Sequence, residues 1–280
     1  MLDPATCDPD LLLLPDTVVT RLLRQSSSLQ PEDVMIVGAH CRDILRSASG
    51  QDSGLRTTED VDFGLALADW AAFDELTKEL VPAGNTGIRY QVADVSTDLI
   101  PFGNLEDPSG TIRPARREPI NVWGFSEVFQ ASRPLPLAHA GTIRIPTIAG
   151  YAALKLVAWL DRSAWGAYKD ASDIATVLHW YSELPDIAAR LWDTDHGVDI
   201  LVEEKSVYPI AAARILGQDI AEVIGSARLA ELAARWPGPR ADSLYAEMNV
   251  TDTFLWPRAV EDRKMRVQAM ERGLGITSVA

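Results

Sequence analysis

Two aspartates stand two residues apart in the run Arg56-Thr57-Thr58-Glu59-Asp60-Val61-Asp62-Phe63. In a β-strand, residues i and i+2 point to one face, so a strand at this point presents the carboxylates of Asp60 and Asp62 side by side. Adjacent carboxylates repel unless a positive charge lies between them. Hard oxygen ligands of this kind suit Mg²⁺, which normally arrives with substrate phosphates attached. The chain supplies a control in Asp193-Thr194-Asp195-His196. That pair has the same spacing, but with Gly197 behind it and no apolar alternation it reads as a helix-ending loop.

The elements that must position the first pair can be read outward from it. Val34-Met35-Ile36-Val37 is a short apolar run with the pattern of a buried strand, ended by Gly38 and followed by a helical stretch over residues 39–48. The strand bearing the aspartates covers residues 60–67, a helix follows over 70–80, and two further strands are expected at 88–92 and 95–102. Residues 103–121, rich in Pro, Gly and Arg, read as an exposed loop. From about residue 146 the pattern is helical, over 147–162, 170–184, 186–192, 209–215, 220–236 and 256–272. The expected class is α+β, with a small mixed-sheet domain at residues 1–146 followed by an α-helical domain at 147–280.

Composition narrows the function. The chain has 280 residues, 47% apolar and 24% charged, enough to build a core. Its net charge of −14 argues against a broad groove for duplex DNA, which needs clustered Lys and Arg. Cys7 and Cys41 give neither a disulfide framework nor a zinc spacing, a usage that fits a reducing compartment. The absence of a run long enough to span a membrane, with a Leu11–Leu14 stretch too short for a signal peptide, points to a cytoplasmic protein.

Strand, glycine, helix, a strand bearing Asp-x-Asp and a further acid on a neighbouring strand is an order that resembles the nucleotidyltransferase superfamily. The matching pieces are Val37-Gly38-Ala39, Asp60-Val61-Asp62 and Asp98 in Thr97-Asp98-Leu99-Ile100-Pro101-Phe102-Gly103. Further on, Tyr151-Ala152-Ala153-Leu154-Lys155, followed by Lys169-Asp170-Ala171-Ser172-Asp173, looks like the signature of AbiEii-type toxins, nucleotidyltransferase-like proteins of toxin–antitoxin and phage-defence systems. The resemblance spans roughly residues 34–180. It implies an Mg²⁺-dependent transfer of a nucleotide from an NTP, with Asp60, Asp62 and Asp98 as metal ligands and Asp98 as general base. It also implies a nucleotide site shared by Lys155 and an acid of the next helix, Asp170 or Asp173, between which the sequence does not choose. The partners implied are the NTP, an RNA end, with the 3′ end of tRNA favoured as acceptor, and a cognate antitoxin, with no membrane. Where many relatives place Ser after the glycine, Ala39 offers a phosphate only its backbone N–H.

Other residues join the nucleotide site, Arg42 and Arg56 on chemical grounds and Lys169 as part of the resemblance. Arg42 and Arg56 can donate to phosphate oxygens in pairs, and Lys169 lies beside the acids of its helix. Each has an ordinary alternative: Lys155 as a surface lysine covering apolar neighbours, Lys169 with Asp173 as an i,i+4 pair, Gly38 as a strand-ending turn. Trp159, Trp165, Trp180 and Trp192 read as core, and Arg113, Arg116 and Arg117 as a solvated loop. Two other functions fit the same residues: a small-molecule nucleotidyltransferase of the aminoglycoside type, suited by the acidic charge, and a non-catalytic nucleotide-binding module acting through a partner.

Overall fold

The computed structural model describes residues 6–26, 28–51, 60–114, 117–250, 253 and 255–276. The chain divides into two compact units, Leu2–Thr147 and Ile148–Ala280. It is α+β: a mixed sheet with helices in the first unit, and helices in the second.

The first unit opens with α1 (Asp10–Gln25), β1 (Val34–Val37) and α2 (Gly38–Ala48), then β2 (Asp60–Leu67), α3 (Trp70–Thr77) and β3 (Val81–Pro82). The strands β4 (Arg89–Val92) and β5 (Val95–Gly103) form a hairpin, and the small strands β6 (Thr111–Ile112) and β7 (Ile120–Asn121) pair within the stretch expected to be loop. After α4 (Phe125–Gln130), the strands β8 (Arg133–Leu137) and β9 (Gly141–Ile145) close the unit. The main sheet has the order β3-β4-β5-β2-β1-β9-β8. Within it β2 runs parallel to β5 and β1 parallel to β9, while the other neighbours are antiparallel.

Alternation along β2 divides the sheet into two faces. Val61, Phe63, Leu65 and Leu67 are buried on one, which leaves Asp60, Asp62, Gly64 and Ala66 on the other. This second face changes character along its length. At the Gly64 end it lies under α4, where a side chain on Gly64 would meet Phe125 and Phe102 at 3.2 and 3.3 Å. At the other end it carries carboxylates.

The helical unit contains α5 (Ile148–Ser163), α6 (Lys169–Ser182), α7 (Pro185–Trp192), α8 (Asp195–Glu203), α9 (Tyr208–Ala233), α10 (Ala241–Glu247) and α11 (Val260–Leu274). Trp159 on α5 and Trp180 on α6 are buried to within about 1%. Helices α9 and α11 approach backbone to backbone: a Cβ on Gly217 would stand 2.1 Å from the Met270 carbonyl oxygen, and one on Gly273 2.0 Å from that of Arg214. The two segments expected at 209–215 and 220–236 run on as α9, whose helical backbone is broken instead at Gly225, with φ 70°. None of the described helices is long and apolar enough to cross a membrane.

Candidate functional site

In the α+β unit, strand register brings the sequence-predicted acids together. Asp62 pairs with Val37 of β1 on one side and with Asp98 of β5 on the other, and Asp60 pairs with Ser96. Cross-strand partners share a face, so Asp60, Asp62 and Asp98 line the same surface of the sheet. Asp60 is exposed, and Asp62 and Asp98 are half-buried.

Gly38 shapes the corner beside them. It begins α2 with φ +69°, a backbone conformation that disfavours any side chain. A Cβ there would lie 1.9 Å from Asp62 Oδ2. The missing side chain therefore lets the Asp62 carboxylate lie against the first turn of α2, where the unpaired N–H groups of a helix start favour negative charge. His40, in the first turn of the same helix, is buried and hydrogen-bonds the main chain of Asp60. Burial is the main cause that pushes its imidazole below its ordinary pKa, against the opposing pull of Asp43 and Asp60.

The sheet also delivers a cation that the sequence reading omitted. Arg89 on β4 pairs in register with Asp98. Its guanidinium clasps that carboxylate with both arms, Nε to Oδ1 at 2.6 Å and Nη2 to Oδ2 at 2.7 Å. The Arg89 pKa is raised, first by the hydrogen bond to Asp98 and then by its charge, with Asp60 and Asp62 contributing in the same direction. Arg89 thus faces all three aspartates. The signal was present in the sequence: strands ending at residue 92 and restarting at 95 leave a two-residue hairpin turn. Ala93 and Asp94 take it with φ of 50° and 63°, and counting back from the turn sets Arg89 opposite Asp98.

In the helical unit, Lys155, Asp170 and Asp173 also come together, but in a closed network. Lys155 Nζ lies 2.6 Å from Asp173 Oδ2 and 3.4 Å from Asp170 Oδ1. Asp170, with its side chain 0% exposed, is also held by Arg162 Nη1 at 2.9 Å. Lys155 stands 5.5 Å from the centre of the Tyr151 ring as well. Asp173 thus meets Lys155 rather than the expected i,i+4 partner Lys169, which is exposed at the start of α6.

The remaining candidates separate. Arg42, read as a phosphate contact, is buried on α2 and donates from Nε and Nη2 to its neighbour Asp43 at 2.8 and 3.2 Å. Ala39 follows Gly38 in the first turn of α2. Arg56 and Arg116 lie outside the described residues, and Arg113 donates to the Asp107 carbonyl within its own loop. Two of the tryptophans expected in the core are on the surface: Trp165, in the turn between α5 and α6, is 90% exposed, and Trp192, at the end of α7, is 57% exposed.

Whether this donor set suits Mg²⁺ can be judged from the acids themselves. Among the described residues no three His, Cys, Asp or Glu side chains converge to hold a metal ion, and both oxygens of Asp98 are engaged by Arg89. The three-carboxylate cage expected from the sequence is therefore not assembled in this arrangement. Asp60 and Asp62 remain a pair of oxygen donors on one face, and Mg²⁺ is commonly held by one or two carboxylates together with substrate phosphates.

No protein-family model matches this chain, and no curated protein sequence does.

Proposed function

We propose that the acid face of β2 and β5 is the catalytic centre of an Mg²⁺-dependent nucleotidyltransferase that moves a nucleoside monophosphate from an NTP to an acceptor hydroxyl. The observation that carries this reading is the row Gly38, Asp62, Asp98: a bare glycine at the start of a helix, packed on one carboxylate whose in-register neighbour is another. Asp60 and Asp62 would hold the metal, which when bound supplies neutralising charge for the phosphates and the departing pyrophosphate.

The chain's own groups account for the rest. The first turn of α2 offers backbone N–H groups to phosphate oxygens. The acceptor oxygen attacks the α-phosphorus, a new P–O bond forms, the bond to the β-phosphate oxygen breaks, and pyrophosphate leaves. Asp98 takes the hydroxyl proton after parting from Arg89, whose guanidinium can then bond phosphate oxygens in pairs. Ion pairing of Lys155 with Asp170 and Asp173 gives that lysine a structural role in its own unit, and a phosphate role would require it to leave both acids.

The favoured acceptor is the 3′ end of tRNA, and the setting is a toxin of toxin–antitoxin or phage-defence type with a cognate antitoxin. The clasp on Asp98 favours one competing reading, a nucleotide-binding module that transfers nothing. Incubation with each NTP radiolabelled at the α-phosphate, Mg²⁺ and either total tRNA or an aminoglycoside separates these. Label on tRNA is the expected result. Label on the aminoglycoside would replace the acceptor, and NTP binding without transfer to either would favour the module.

A further inference from the structure

The geometry points to Arg89 as a built-in counter-ion that keeps bare divalent metal off the acid face and releases Asp98 only when a nucleoside triphosphate offers the guanidinium another anion. This rests on the reading of Asp60 and Asp62 as the metal-binding pair, and adds to it an order of binding: metal and triphosphate enter together.

Three observations carry it. First, the clasp is two-armed and short, at 2.6 and 2.7 Å, the fork geometry in which a guanidinium holds a carboxylate best. An Mg²⁺ ion seeking Asp98 must displace a permanent positive charge from the same two oxygens. Second, the contact is fixed by the backbone, because β4 and β5 pair Arg89 with Asp98 in a hairpin closed by a two-residue turn. The register therefore delivers the Arg89 side chain to the acid row. Third, the Arg89 side chain is 39% exposed while Asp98 is 17% exposed. The arginine can swing toward an arriving phosphate more readily than the aspartate can follow it.

A purely structural salt bridge would explain the distances but not the position. Arg89 stands beside acids that no hydrophobic packing requires, and its charge is stabilised by Asp60 and Asp62 as well as by its partner. A triphosphate carries enough negative charge to compete for it, whereas a bare metal adds repulsion.

The test is Mn²⁺ binding without nucleotide, followed by the loss of the free-ion electron paramagnetic resonance signal, for the wild-type chain and Arg89→Ala. Removing the guanidinium should tighten Mn²⁺ binding by about tenfold, allowing for the partial exposure of the pair. Arg89→Gln, which keeps a hydrogen-bond donor on the strand, should move the same way and serves if the alanine variant does not fold. Equal or weaker Mn²⁺ binding in a folded variant overturns the counter-ion role and leaves the metal pair standing. Failure of wild type and variants alike to bind Mn²⁺ at millimolar concentration would sink the metal pair itself, and the inference with it.

Discussion

On β2 and β5, the carboxylates of Asp60, Asp62 and Asp98 stand along one strand face, with Asp60 exposed and Asp98 clasped by Arg89 of the next strand. On α5 and α6, by contrast, the carboxylates of Asp170 and Asp173 are closed on by Lys155, and Asp170 by Arg162 as well. Strand register lies behind the difference. Neighbouring strands are held about 4.8 Å apart by their hydrogen bonds, so carboxylates set in register cannot retreat from one another and their repulsion favours a cation. Helix surfaces impose no such spacing. Long Lys and Arg side chains can reach across two helices and neutralise buried acids at the cost of their own freedom. Charged residues close in space are thus a candidate site in one unit and a joint in the other.

The contrast can be broken most severely at Asp60. Asp60→Asn should lower nucleotide transfer on the order of 10²- to 10³-fold with no loss of thermal stability, since Asp60 is exposed. A large fall in Tm with unchanged turnover would reverse the assignment. The matching change in the helical unit is Asp170→Ala, which leaves a buried void and takes one acid from Lys155, still held by Asp173, and from the half-exposed Arg162. It should destabilise the protein by about 1–3 kcal/mol, read by urea denaturation. A folded, equally stable variant that had lost NTP binding would make that cluster the site instead.

Asp16 provides a structural carboxylate within the α+β unit. Its burial opposes ionisation, yet the His139 side chain and the backbone N–H groups of Ala140 and His139 together hold its pKa below the ordinary value of 3.8. A depressed folded pKa means that its stabilisation is fully present above the unfolded value and is lost as the pH falls through the folded one. Asp16→Asn should accordingly cost about 1–2 kcal/mol at neutral pH, and the gap from wild type should narrow only below about pH 4. A gap that stayed constant into strong acid would count against those hydrogen bonds. The smallest effect belongs to Trp165→Phe: with 90% exposure, its unfolding free energy should stay within about 0.5 kcal/mol of wild type. A larger loss would put that indole back in the core.

How much of this was legible in the sequence depends on the range of the contact. The β2 alternation of Val61, Phe63 and Leu65 against Asp60 and Asp62 is local, and it gave the strand, its face and the paired acids. The Arg89 clasp lies one step further, since it needs the two-residue turn at Ala93 and Asp94 to set the register of β4 on β5. Closure of Lys155 onto Asp170 and Asp173 was beyond local pattern, since helix-to-helix packing decides which side chains meet. Trp165 misled because a large apolar ring between two apolar helices reads as core, whereas it lies in the exposed turn that joins them. The helix α1 and the strand β8 were masked by Pro15, Pro134 and Pro136, residues that weaken helix and strand signals alike.

Asp62 is the residue on which the row from Gly38 to Asp98 turns. The most direct measurement is transfer of α-phosphate label from each NTP to total RNA by the wild-type chain and by Asp62→Asn, with the two matched for Tm. The account predicts labelled RNA with the first and none above background with the second. Equal labelling by both, or none by the wild type with any NTP, would contradict it.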